Sequence, residues 1–282
     1  MSQAHRQSHL VLIAVQTGLF QKLTEPSKCT KEPVMRQQTL PFYRLISVKT
    51  AQISLLFPNP PLESLESTQK SFALITPRAC KFPRQVIPFA AVTENTPEAF
   101  TDLHSLMEPG EATYVVSYES PAPSALTYSN PFGVKQLEWP ETLSLPYLPE
   151  DEPEIEPLTC ANAAEMVALT DVAFPGFFRI RTCELGPYYG IRSTSGDLVA
   201  MCGERMNIGN FREISGLCTH PEHRGKGYAQ LLMSKLMHDH RAAGLRSYLH
   251  VSSSNTHAVD LYLRMGFVLR GEFPLYLATR IA

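Results

Sequence analysis

Several large functional classes are excluded by what the chain has little of. It has no basic excess: 25 Lys and Arg stand against 27 Asp and Glu, for a formal net charge of −2. A general nucleic-acid binder normally carries a positive surplus, so none is expected, and no nucleic acid is assigned as a partner. Long apolar runs are missing too. The longest near the N-terminus, His9 to Val15, falls far short of the ~20 residues a bilayer span needs, so no membrane role is expected. It follows a weakly basic start, but no clear small-x-small cleavage site comes after it, which argues against a signal peptide. The six cysteines, at 29, 80, 160, 183, 202 and 218, include no Cys-x-x-Cys pair. Neither a disulfide framework nor a zinc site is indicated, and a reducing, cytoplasmic setting is expected.

What is present is the composition of a globular protein, 44% hydrophobic and 18% charged. At 282 residues the chain can hold one large domain or two small ones. Its grammar changes near residue 155: nineteen of 23 prolines precede residue 160, and twelve of 15 glycines follow it. The acidic, proline-rich stretch 146–153 reads as an extended linker. Residues 1–35 read as an extension outside the fold, since Met35 offers an alternative start. Residues 36–145 carry strand-like runs at Ser71–Ile75, Gln85–Val92 and Thr113–Ser117. A helix opens at Thr96-Pro97-Glu98, with Phe100, Leu103 and Met107 at helical spacing. These predict a smaller α+β unit whose role the sequence leaves open. No phosphate-binding turn occurs in it.

Residues 154–282 read as strand, helix, three strands, helix, strand, helix, strand. The strands are expected at Glu154–Leu158, Tyr188–Arg192, Leu198–Glu204, Phe211–Thr219, Tyr248–Val251 and Leu269–Ala278. Asn162 and Glu165 read as a helix start of capping-box type. This order implies an α/β (α+β) fold, a mixed sheet with helices on both faces. The most informative run lies between the fourth strand and the second helix. From Glu213 through Leu217, Cys218 and Thr219 it enters the basic turn Arg224-Gly225-Lys226-Gly227-Tyr228-Ala229. A long helix with Ala229, Leu232, Met233, Leu236 and Met237 on one face follows directly. The first turn of a helix has unpaired N–H groups and a partial positive charge, and glycines let backbone approach a ligand. Such a turn can wrap a pyrophosphate, with Arg224 and Lys226 adding charge. A tight glycine turn flanked by a solvated basic pair is the plainer alternative. His220 and His223 suggest a metal pair, but nothing nearby supplies further ligands, so no metal is expected.

Two motifs in this half carry a family resemblance. Arg224-x-x-Gly227-x-Ala229 between strand and helix, and Asn255, Ala258, Tyr262, Gly266 and Phe267 at their mutual spacing, resemble the two signatures of the GNAT superfamily of acyl-CoA-dependent N-acyltransferases. The glycine N-acyltransferase-like branch is the most similar. The resemblance covers roughly residues 154–280 and implies a GNAT-type twisted mixed sheet, with acetyl-CoA or another short acyl-CoA as co-substrate. It implies that Arg224 to Ala229 hold the pyrophosphate and that the backbone of Leu217, Cys218 and Thr219 pairs with the pantetheine arm. Asn255 either contacts that arm or caps its helix. Glu213, expected by strand alternation to share a face with Ser215, Leu217 and Thr219, matches the position of a glutamate base. Tyr262 matches a tyrosine acid beside the thioester sulfur. Cys218 as an acylated nucleophile is a lesser option, because the family resemblance implies direct attack in a ternary complex.

The acceptor side is less legible. Phe177, Arg181 and Tyr189 lie where such folds build the substrate wall, and could bind a small carboxylated amine or simply pack the loop. The expected activity is N-acetyltransfer to a primary amine of a small molecule or amino acid. The alternatives are a catalytically idle acyl-CoA sensor and a protein N-acetyltransferase. A homodimer is compatible with the sequence.

Overall fold

A computed structural model describes residues 54–148 and 153–281. The extension 1–35, with the apolar run at its start, and the centre of the 146–153 linker lie outside those residues. The described residues form one compact unit. Its centre is a mixed sheet whose strands, in chain order, are β1 (Leu74–Ile75), β2 (Ala79–Lys81), β3 (Phe89–Val92), β4 (Ala112–Val116), β5 (Leu126–Tyr128), β6 (Phe132–Glu138), β7 (Glu156–Leu158), β8 (Tyr188–Arg192), β9 (Leu198–Ile208), β10 (Phe211–Thr219), β11 (Arg246–Ser252) and β12 (Val268–Arg280). The order across the sheet is β1-β2-β3-β4-β12-β6-β11-β10-β9-β8-β7, with β5 on β12. Pairs β3–β4 and β10–β11 are parallel and the others antiparallel. The expected mixed sheet is therefore found.

The expected boundary at 146–153 is not a boundary in the sheet. Strand β6 lies between β11 and β12, pairing Tyr248–Ser252 on one side and Val268–Leu275 on the other. Strand β12 continues along β4. Strand β6 escaped notice because Gly133, Lys135 and Gln136 break its apolar pattern. It is half of the wall on which the last two strands depend.

Among the described residues five α-helices cover the sheet: α1 (Pro60–Glu66), α2 (Pro97–Leu106), α3 (Ala163–Ala173), α4 (Tyr228–Ala242) and α5 (Thr256–Met265). Helix α4 buries Leu232, Met233, Leu236, Met237 and His240, one apolar stripe against β9, β10 and β11. It stops at Gly244, whose φ of 71° is the left-handed position that favours glycine. Helix α3 starts one step differently from expectation. Thr159 and Asn162 cap a short 3-10 turn reciprocally, and Asn162 then donates to Glu165 at 2.7 Å. No helix among the described residues is long and apolar enough to cross a membrane.

Two irregularities shape the middle of the sheet. Strands β10 and β11 pair only from Phe211–Ile214 against Arg246–Leu249. Beyond that they part: β10 stays with β9 as far as Thr219, and β11 stays with β6 as far as Ser252. Within β10 a bulge sets Ser215 opposite Gly203 and Cys218 opposite Met201. Gly216 there has φ 62°, and a Cβ on it would meet the Tyr188 ring at 3.0 Å. The bulge adds one residue and so reverses the alternation.

Candidate functional site: the opening between β10 and β11

Where β11 leaves β10, the backbone of Leu217, Cys218 and Thr219 borders the opening on one side, with Cys218 and Thr219 paired to β9 on the other. An extended polar chain can add there as a strand would. Thr219 leads through the short turn 221–223 to Arg224, whose Nε lies 3.4 Å from the Thr219 carbonyl. Gly225 and Gly227 follow at φ 79° and 78°, and no protein atom stands within 4 Å of where a Cβ would be on either. Gly227 is the N-cap of α4 and offers no side chain to its first turn. The first intrahelical bond is from Leu231 N–H to the Gly227 carbonyl, so the N–H groups of Tyr228, Ala229 and Gln230 are left for another acceptor. The Lys226 ammonium lies 5.8 Å over the Tyr228 ring. A cleft of 440 Å³ opens here, lined by Lys226, Gly227, Gln230 and Leu231 of the turn and α4, by Met265 of α5, and by Tyr147.

Helix α5 forms the other flank. Asn255 caps it, its Oδ1 accepting from Ala258 N–H at 3.2 Å, so one of its two expected roles is filled by the helix itself. Tyr262 lies one turn before Met265 and packs on the core shared with α4. Its ring meets Phe267 edge-on at 6.0 Å. Burial pushes its phenol well above the ordinary range. The hydroxyl thus stays protonated at neutral pH, as a donor must.

Glu213 is not placed as a free base, which corrects the sequence expectation. It is fully buried. Its carboxylate accepts from Arg205 Nη2 at 2.5 Å, Arg205 Nε at 3.1 Å, Met206 N–H at 2.9 Å and His250 Nδ1 at 2.9 Å. Burial would raise its pKa, but the charge of Arg205 and the hydrogen bonds from His250 and Arg205 outweigh it and hold the group at about 2. A carboxylate so acidic and so fully engaged has no affinity left for an ammonium proton. The bulge also removes the shared face: Ile214 and Leu217, three apart, both pack on the α4 side, and Cys218 packs on the α3 side with Tyr188 and Met201.

The network continues away from Glu213. Gln136 Oε1 accepts from Leu56 N–H at 2.6 Å and Phe57 N–H at 3.2 Å, which fixes its amide orientation. Its Nε2 then donates to the Phe57 carbonyl at 3.2 Å and to His250 Nε2 at 3.0 Å. His250 therefore accepts at Nε2 and carries its proton on Nδ1, toward Glu213. Arg205, at the far end, lies 4.9 Å over the Phe89 ring. Sequence reasoning missed Gln136 and Arg205, which sit in strand patterns without a motif. His250 lay inside a noted segment but showed no sign of its partners.

Burial pushes the Cys218 thiol up to about 12, which leaves it a protonated strand residue rather than a nucleophile. The three residues expected on the acceptor wall are not brought together. Phe177 stacks on Tyr114 at 4.9 Å and Phe89 at 6.1 Å, against strands of the N-terminal half. Arg181 is exposed and spends its guanidinium on Glu184 through two 2.7 Å bonds. Tyr189 is on the α4 side, donating to Asp239 at 2.5 Å beneath the Lys235 ammonium. The aromatic surface that does form joins Phe177 to Phe89, Tyr114 and Phe132. Among the described residues no group of three metal-ligating side chains occurs, and His220 with His223 has no third partner.

Comparison with known proteins bears on the fold and the family. The model of the acetyltransferase (GNAT) family matches residues 157–267. The crystal structure of a GNAT-family acetyltransferase from Novosphingobium aromaticivorans is 31% identical, with a TM-score of 0.70 over 78% of this chain and 96% of that one. A Drosophila protein, 14% identical with a TM-score of 0.52 over 72% of this chain and 74% of its own, shares the fold. A search of curated proteins returned no match. With the family model on the site-bearing half and a 31% identical relative spanned almost end to end, the chain belongs to the GNAT family of acetyltransferases.

Proposed function

We propose that the protein transfers the acetyl group of acetyl-CoA to the primary amine of a small molecule or amino acid, by direct attack within a ternary complex. One observation carries the reading: the gap where β10 and β11 part runs into a helix N-terminus that is left uncapped behind two left-handed glycines. The first offers backbone pairing to an extended amide-bearing arm, and the second offers N–H groups and a helix dipole to a pyrophosphate. Arg224 and Lys226 lie beside that phosphate path. Tyr262 is the protonated group available to the departing thiolate.

The attacking amine must be neutral, and Glu213 takes no proton from it. The amine then enters as its own minor deprotonated form. A thiol-release assay of the full chain with acetyl-CoA against amino acids, polyamines and peptides tests the reading. With an active acceptor, kcat/KM should climb about tenfold per pH unit toward the acceptor's own pKa, ~8 for an α-amino group and ~10.4 for a lysine-type amine. A plateau reached near pH 7 with a lysine-type amine would reveal a protein base and contradict the unassisted entry of the amine. Release of thiol with none of these acceptors, despite tight acetyl-CoA binding, would favour the idle sensor.

A further inference from the structure

A second cavity, of 250 Å³, lies at the other end of α4 and shares no lining residue with the cofactor cleft. Its walls are Trp139, Leu145, Met237 and Leu245, with Glu141, Arg241, Arg246 and Ser247 as polar members. The indole of Trp139 is fixed from behind. Its ring meets Phe267 edge-on at 5.3 Å, and it packs closely on Gly266, where a Cβ would stand 3.2 Å away. Trp139 is 5% exposed, yet its Nε1–H is buried with no acceptor among the described residues. A buried donor without a partner is costly and rare, so an acceptor missing from the protein is the simplest account.

The charge around the cavity points to the kind of acceptor. Arg246 is occupied by Glu138 and faces Glu141 at 3.6 Å. Arg241 bonds only to the Leu143 carbonyl, at 3.1 Å, and pairs with no carboxylate among the described residues. Ser247 is backed by a buried relay: its Oγ lies 2.8 Å from His240 Nδ1, and His240 Nε2 lies 3.1 Å from Glu204 Oε1. These two contacts hold the Ser247 hydroxyl still. The cavity thus combines apolar walls, the unspent N–H groups of Trp139 and Arg246, one guanidinium without a counter-ion and a fixed hydroxyl, against one carboxylate, Glu141, which faces Arg246.

From these features we infer that the cavity is a second ligand site, for a small carboxylic acid with a compact apolar body. The volume falls below the ~300 Å³ at which pockets for drug-sized ligands begin, so the body is of single-ring size. The carboxylate meets the Trp139 N–H and the Arg241 guanidinium, and the ring rests among Leu145, Met237 and Leu245.

Trp139 is the sole tryptophan of the chain, so its indole proton gives one isolated resonance and its emission reports on this cavity alone. The full chain, labelled with nitrogen-15, is titrated with cyclohexanecarboxylate, cyclohexylmethanol and cyclohexylmethylamine up to about 10 mM, a range that captures millimolar affinity. The expected result is a saturable downfield shift of the indole proton with the carboxylate and no saturable shift with the amine or the alcohol. Arg241→Gln, an exposed change at the end of α4, should weaken the carboxylate about tenfold or more, the scale of one charge-assisted hydrogen bond. No saturable shift with the carboxylate would overturn the site. Equal affinity for all three probes, or an unchanged response in Arg241→Gln, would overturn its selectivity for acids.

Discussion

Tyr262 and Glu213 show how neighbouring positions in a motif-bearing half acquire opposite characters. Glu213 is fully buried and Tyr262 partly buried; burial raises the phenol without opposition, while at Glu213 the charge of Arg205 overrides it. The consequence for Tyr262 is kinetic. Tyr262→Phe should lower kcat on the order of 100-fold, the usual worth of a positioned acid, with the affinity for acetyl-CoA unchanged. Equal turnover in the two proteins would remove Tyr262 from the chemistry. The consequence for Glu213 is structural. Glu213→Gln leaves Arg205 buried without its partner and should cost about 3–5 kcal/mol in denaturant unfolding. The sign of the pH dependence follows from the depressed pKa. The carboxylate's stabilisation is complete above its unfolded value near ~4.3, and is lost as pH falls through that value toward about 2. Acid unfolding of the native chain should therefore steepen below pH ~4, and Glu213→Gln should flatten that limb. An unaltered unfolding curve, with activity lost at full stability, would return Glu213 to the role of base.

At the scale of elements, legibility tracked how much of the pattern was local. Strand β10 and helix α5 were read with their ends at Phe211–Thr219 and 256–265 because the His220-Pro221 turn stops the first, and a cap at Asn255 and a glycine at 266 bound the second. The turn 224–229 was legible for the same reason: its φ > 0 glycines and the helix start are adjacent in sequence. The faces of β10 were not, because a bulge is dictated by what β9 and β8 place opposite, here Gly203 and the Tyr188 ring. Nor was the acceptor wall, since Phe177 finds Tyr114 and Phe89 only through tertiary packing. The turn also carries the sharpest test at this scale. Gly227→Val forces a β-branched residue to φ 78° and fills space that the protein leaves clear for a ligand. It should cost about 1–3 kcal/mol in stability through strain. It should also weaken acetyl-CoA at least tenfold in a calorimetric titration. Micromolar binding kept intact would dismiss the pyrophosphate assignment.

For the whole molecule, the decisive fact is that the sheet is continuous across the change in composition. Prolines and glycines divide the sequence near residue 155, but hydrogen bonds do not. Strand β6 supplies the partner that β11 and β12 would otherwise lack, and Gln136 on it ties Leu56 and Phe57 to His250. A chain started at residue 154 would expose two unpaired edges in the middle of the sheet, along with Leu249 and Phe273, which are buried in the intact protein. Such a fragment, though it spans the region matched by the family model, should not fold by itself. We expect a broad, non-cooperative thermal transition and poor amide dispersion, against one cooperative transition for the full chain. Adding residues 54–148 as a separate polypeptide should restore dispersion, because it returns β6 to the gap. A sharp transition in the isolated fragment would instead establish the two halves as independent domains and make the continuity of the sheet a matter of docking.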